Sequence, residues 1–184
     1  MKRILNLVAI IVIFLFSAAP VKGQNVADQS AKVLLIEAKN LDTQRMAKKK
    51  LAIKRVLVRT NSPLIESVDE FVGTCDTYGL DCYLLPSITG LESSFGVYTH
   101  PGSYNPFGWG GGYIMFDGWD EAIKTVGKGL KENYIDKGAE TVEQIAPIYA
   151  ASKTWAPRVK SFMNTFEEEE AKIDYIMKQN VVEL

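Results

Sequence analysis

The sequence predicts a mainly α domain, α+β in class, in which helices surround a small glycine- and aromatic-rich hairpin lobe beside a cleft. Three observations predict it. Apolar residues recur at helical spacing through most of the chain beyond residue 50. Cap and stop residues bracket those stretches. Residues 97–112 interrupt the pattern with Gly, Pro, Ser, Asn and aromatic side chains.

The elements follow in order. Met1-Lys2-Arg3, an apolar run from Ile4 to Phe16 and the small residues up to Gly23 have the layout of a secretory signal peptide over residues 1–23. The alternative is an uncleaved N-terminal anchor, although the run is short against the ~20 residues a bilayer span needs. Residues 24–50 are polar and charged and read as a spacer, mobile or partly helical, with an ordinary first helix of the domain as the alternative. The domain proper is expected over residues 51–184. Ser62-Pro63 starts a helix whose face is Ile65, Val68, Val72 and Cys75, with Gly79 as its stop. Asp81 caps the next helix, whose face is Leu84, Leu85, Ile88, Leu91 and Phe95, ending at Gly96. The interruption is a loop or small hairpin, with residues 113–116 as a short strand. Asp117 caps a helix packed through Trp119, Ile123, Val126 and Leu130, where Gly127 and Gly129 permit close approach. Thr141 and Gln144 form a capping box for a helix facing inward through Ile145, Ile148 and Tyr149. Pro157 opens a last helix through Val159, Phe162, Met163 and Phe166, and Glu167 to Glu170 read as solvated surface.

Composition narrows the function. The chain carries 21 Lys and Arg against 22 Asp and Glu. Losing Lys2, Arg3 and Lys22 with the leader leaves the remainder mildly acidic. No basic stripe with interleaved aromatics points to nucleic acid. Cys75 and Cys82, close together in an exported chain, are expected to form a disulfide. Two thiols and the lone His100 fall short of the four ligands of a structural zinc, so no metal and no cofactor are expected. His100 itself, with no nucleophile motif beside it, reads as a loop histidine.

The chemistry-bearing residue is Glu92. Ile88 lies one turn before it and Phe95 nearly one turn after, so it borders an apolar face in the last turn of its helix. Both the apolar neighbours and the negative helix end favour a carboxyl that keeps its proton, as a general acid must. The plain alternative is a surface glutamate. In the loop, Tyr98, Tyr104, Phe107, Trp109 and Tyr113 alternate with glycines and prolines. Flat rings there can stack on sugar faces, glycines admit a polymer to the backbone, and Asn105 can bond an acetamido group. The alternative is a small core under a long loop. Tyr149 and Trp155 each read as sugar contacts or as core anchors.

Gly79-Leu80-Asp81, the stretch from Leu84-Leu85-Pro86 to Glu92-Ser93-Ser94-Phe95-Gly96, Tyr104-Asn105-Pro106-Phe107-Gly108-Trp109, and Phe116-Asp117-Gly118-Trp119-Asp120-Glu121-Ala122-Ile123 carry a further signal. Through them, residues 62–166 resemble the lysozyme-like superfamily of bacterial cell-wall glycosidases. The nearest likeness is to the glucosaminidase (mannosyl-glycoprotein endo-β-N-acetylglucosaminidase-like) domain. The resemblance implies a secreted or cell-envelope enzyme acting on peptidoglycan or a related N-acetylated glycan. It puts Glu92 at the general-acid position and Tyr149 at that of a tyrosine steadying the substrate near the cut bond. Ser93, Tyr104, Asn105, Phe107, Trp109 and Trp155 would line the glycan. One departure stands out. Many such domains supply a second carboxylate from the hairpin, but no Asp or Glu lies between Phe95 and Phe116 here. A one-acid route is therefore expected, either hydrolysis assisted by the substrate's acetamido group or lytic transglycosylation. A catalytically silent wall-binding module is the alternative from outside the enzymes.

Overall fold

Residues 24–182 are described by the computed structural model, with side chains described for residues 29–179. The leader expected at 1–23 lies outside them. Six α-helices occur among the described residues: α1 (Gln24–Arg59), α2 (Val68–Tyr78), α3 (Leu84–Ser93), α4 (Trp119–Asn133), α5 (Val142–Tyr149) and α6 (Trp155–Val182). The mainly α expectation holds. No strand occurs among the described residues, so the hairpin lobe is corrected to an irregular loop. None of these helices is long and apolar enough to cross a membrane.

The chain divides into two units at Asp42. In the first, α1 leaves Val33, Leu34, Leu35 and Ile36 each more than half exposed. The second begins at Thr43, and there the expected change of character at residue 50 does not appear. Lys48 already pairs with Asp174 at 2.7 Å and Lys49 with Glu170 at 3.3 Å, while Met46 packs on the core. These side chains dock on α6 because helical spacing aligns them with the buried Ala52, Ile53, Val56 and Leu57 one or two turns on.

Local signals set most of the helix ends. The Ser62 hydroxyl accepts the Leu64 N–H and donates to the Phe95 carbonyl at 2.6 Å. The first turn, Pro63–Ser67, is a 3₁₀ helix that passes into α2. Gly79 ends α2 in the left-handed conformation, φ 63°, returning its N–H to Cys75. Cys75 and Cys82 form the disulfide, tying the end of α2 to the approach of α3. Asp81 accepts the Tyr83 N–H, and Pro86 sits in the first turn of α3, where its missing donor costs no helical bond. The box of Thr141 and Gln144 is complete on α5. Asp117 does not cap α4 as expected. Its own N–H is held instead by the Glu121 carboxylate at 2.6 Å. On α5, Ile148 is exposed rather than inward. α6 starts at Trp155, so Pro157 lies within its first turn.

The core gathers Phe71, Tyr83, Leu85, Ile88, Ile123, Leu130 and Phe166, each at 0–1 % exposure. Each such side chain contributes about 1.5–3 kcal/mol on burial. Gly127 brings α4 against α2. A Cβ there would overlap the Thr74 Cγ2 methyl, so the two helices could not keep this spacing. The acidic run in α6 is not plain surface either. Glu169 is 5 % exposed and meets Arg59, Arg55 and Lys172, while Glu170 accepts both Lys49 and the Tyr83 hydroxyl. Burial and Glu170 together push the Tyr83 phenol well above its ordinary range, so it remains a donor.

Candidate active site

Glu92 stands on the penultimate residue of α3 and is exposed. The helix stops at Ser93, earlier than the Gly96 signal suggested. Ser94 (φ 50°) and Phe95 (φ 60°) are both left-handed, a conformation that costs a non-glycine residue about 1 kcal/mol or more. Two interactions compensate. The Phe95 ring is buried edge-on against Phe162 and Phe166 at 5.4 and 6.1 Å. The Ser93 hydroxyl accepts the Gly96 N–H at 2.9 Å and donates to the Pro106 carbonyl at 2.8 Å. Ser93, 4 % exposed, therefore pins the loop to the helix end rather than facing a ligand.

Asn105 organises the loop. Its amide nitrogen donates to the Trp109 and Ile114 carbonyls at 2.9 and 3.1 Å, and its oxygen accepts the Trp109 N–H at 2.9 Å. One side chain thus does the pairing that a hairpin ladder would do. A single backbone bond, Phe116 to Ser103, joins the loop's two sides. Gly108, Gly110, Gly111 and Gly112 all have φ between 61° and 83°, which denies the segment an extended strand. With its polar atoms so engaged and 5 % exposure, Asn105 is not placed to meet an acetamido group. Phe107 is fully buried and anchors the loop.

Four elements converge on Glu92. Trp155, at the start of α6, donates its indole N–H to Glu92 Oε1 at 2.7 Å. A Cβ on Gly108 would lie 3.8 Å from Oε2, so the second oxygen looks toward the loop backbone. Tyr149, the last residue of α5, stacks on Trp155 with centroids 4.8 Å apart and donates its hydroxyl to the Phe107 carbonyl at 2.9 Å. Burial, with the Glu92 carboxylate and Tyr134 adding to it, pushes the Tyr149 phenol well above its ordinary value. It therefore stays protonated and acts as a donor, not a base. Trp109 and Tyr134 complete the aromatic wall, 5.8 and 6.3 Å from the Tyr149 ring.

Of the sequence candidates, the fold brings Glu92, Tyr149, Trp155 and Trp109 together. Trp155 is 3 % exposed and presents no face to a sugar; it reaches the site through its nitrogen. Tyr104 is 40 % exposed, edge-on to Trp119 at 5.0 Å, and Tyr98 and Tyr113 are more exposed still. Tyr134 was missed, and for Gly129 the close approach was expected but not its partner. Gly129 makes room for the Trp109 ring, which a Cβ would meet at 2.7 Å. The glycine interrupting α4 was the available signal. Elsewhere, a cavity of about 500 Å³ floored by Leu80, Leu84, Ile145 and Met163 does not include Glu92. Among the described residues no group of His, Cys, Asp and Glu side chains could hold a metal ion. No protein-family model matches the chain, and no curated protein matches it.

Proposed function

We propose that this protein is a secreted or envelope-bound glycosidase of lysozyme-like, glucosaminidase type, cutting β-1,4 bonds of peptidoglycan or a related N-acetylated glycan with Glu92 as acid and base. The observation that carries the reading is the setting of Glu92: an exposed carboxyl at a helix end, held by a neutral indole donor beside an open glycine backbone and an aromatic wall. Its proton passes to the glycosidic oxygen while the C1–O bond breaks, the bonding pair staying with that oxygen. The substrate's acetamido oxygen then takes the anomeric carbon, and water displaces it, returning a proton to Glu92. A glycan lying over the site excludes water from the acid, a task that burial does not perform in the free protein.

Zymography on purified cell walls tests this, with clearing by wild type and none by Glu92→Gln expected. Equal clearing by the variant removes Glu92 as the acid. Glycan binding without cleavage by the wild type would mark a wall-binding module instead. A second reading, lytic transglycosylation, is favoured by the absence of Asp and Glu between Phe95 and Phe116. There the sugar's own C6 hydroxyl oxygen bonds to C1 and sheds its proton to Glu92. Mass spectrometry of the products separates the two, because transglycosylation leaves 1,6-anhydro ends.

A further inference from the structure

Trp155 meets Glu92 across 63 positions of sequence, and the bond is short, 2.7 Å. An indole nitrogen carries one hydrogen and has no acceptor capacity. The oxygen it touches must therefore offer a lone pair in every protonation state of the carboxyl. In a neutral carboxylic acid the carbonyl oxygen is the better acceptor and the hydroxyl oxygen the poorer. The indole thus selects Oε1 as the carbonyl, which leaves Oε2 as the hydroxyl. Oε2 is the oxygen nearest the place where a Gly108 side chain would be, and Gly108 has none.

The indole cannot readily turn away. It is 3 % exposed, stacked on Tyr149, and Tyr149 is tethered in turn to the Phe107 carbonyl. Phe107 precedes Gly108, so the chain of contacts closes on the same stretch of backbone that Oε2 faces. We infer that Trp155 is a positioning residue that fixes which Glu92 oxygen holds the transferable proton, Oε2, and so aims it at glycan lying over Gly108. The inference rests on the glycosidase reading for its catalytic consequence, though not for the bond itself.

Two measurements on the full chain test it. In ¹⁵N–¹H spectra the Trp155 indole signal is identified by its loss in Trp155→Phe. It should move upfield in Glu92→Ala, which removes the acceptor. In Glu92→Gln it should move less, because the amide carbonyl replaces Oε1 and the amide nitrogen replaces Oε2. An unmoved signal in Glu92→Ala, or an equal shift in both variants, overturns the assignment. In the second measurement, Trp155→Phe keeps a ring against Tyr149 but loses the donor. Its kcat on peptidoglycan should fall about 10–100-fold, with KM within about twofold. An unchanged kcat, or a loss carried wholly by KM, overturns the positioning role. If Trp155→Phe does not fold, the wild-type, Glu92→Ala and Glu92→Gln spectra decide alone, with the Trp155 indole signal assigned by elimination from Trp109→Phe and Trp119→Phe. A wild type that cleaves no glycan sinks the glycosidase reading, while the spectra still decide the indole–carboxyl bond on which the proton's place rests.

Discussion

Glu169 and Glu92 lie on helices of the same unit and are held in opposite ways. Glu169 is buried on α6, and its two oxygens meet Arg55, Arg59 and Lys172. Burial alone would raise its carboxyl, but Arg59 and Lys172, with the hydrogen bonds from Arg59 and Arg55, outweigh it and hold the group below the ordinary carboxylate value. Glu92 is exposed, forms no ion pair among the described residues, and accepts a neutral indole N–H. The difference separates two uses of one residue type. A carboxylate ringed by cations is locked in its charged form and ties helices together. One held by a neutral donor at an open surface is oriented with no counter-charge beside it.

The first way to break that contrast is at Glu92 itself. Glu92→Gln should lower cell-wall cleavage about 10²–10⁴-fold, while thermal melting shows no loss of stability. A comparable loss of stability would make Glu92 a structural group like its counterpart. Glu169→Gln should do the reverse. It should cost about 2 kcal/mol, read as a drop of roughly 4–8 °C in Tm, with cleavage per folded molecule unchanged. Acid sharpens the same point. A carboxyl lowered in the folded state contributes stability that is fully present above its unfolded value and lost as pH falls through the folded one. Wild-type Tm should therefore decline as pH drops below about 4.3, and the decline should be shallower in Glu169→Gln. If both melt in parallel, the cation ring does not set the acid response.

Smaller effects probe the scaffold of the Glu92 side. Asn105→Ala strands one N–H and two carbonyls in the loop, at a cost of about 1–2 kcal/mol. It should raise KM for glycan while leaving Glu169 and its pH response untouched. Unaltered melting and KM would mean that the glycines alone shape the loop. The smallest expected effect is at Ser87, on the helix that carries Glu92. Its hydroxyl is fully buried with no hydrogen-bond partner. Ser87→Ala should therefore raise stability by up to about 1 kcal/mol, seen as a small increase in Tm. A decrease would show that the hydroxyl fills a need in the core.

Much of the scaffold was legible because its signals are local. Ser62-Pro63, Gly79 and the Thr141–Gln144 box act within one turn of themselves, so reading neighbours suffices. The α3 end was misjudged because Gly96 is a strong local stop, yet the Phe95 ring and the Ser93 hydroxyl gain more by an earlier one. The loop was misread for a related reason. Aromatic and β-branched residues at 113–116 favour strand locally, but the positive-φ glycines and the bonds of Asn105 leave no partner strand to pair with. In the site, Glu92 could be singled out from its place on the helix. The engagement of Ser93, Asn105 and Phe107 with backbone or core could not, since a polar or aromatic side chain reads the same whether it faces a ligand or its own chain.

Spacing and contacts a few residues long suffice for the helices, most of their ends and the disulfide pairing. The roles of Glu169 as a buried ion-pair centre and of Trp155 as the indole donor to Glu92 appear once the helices are packed. Those roles depend on partners more than sixty residues away. Packing, not propensity, settles who they are.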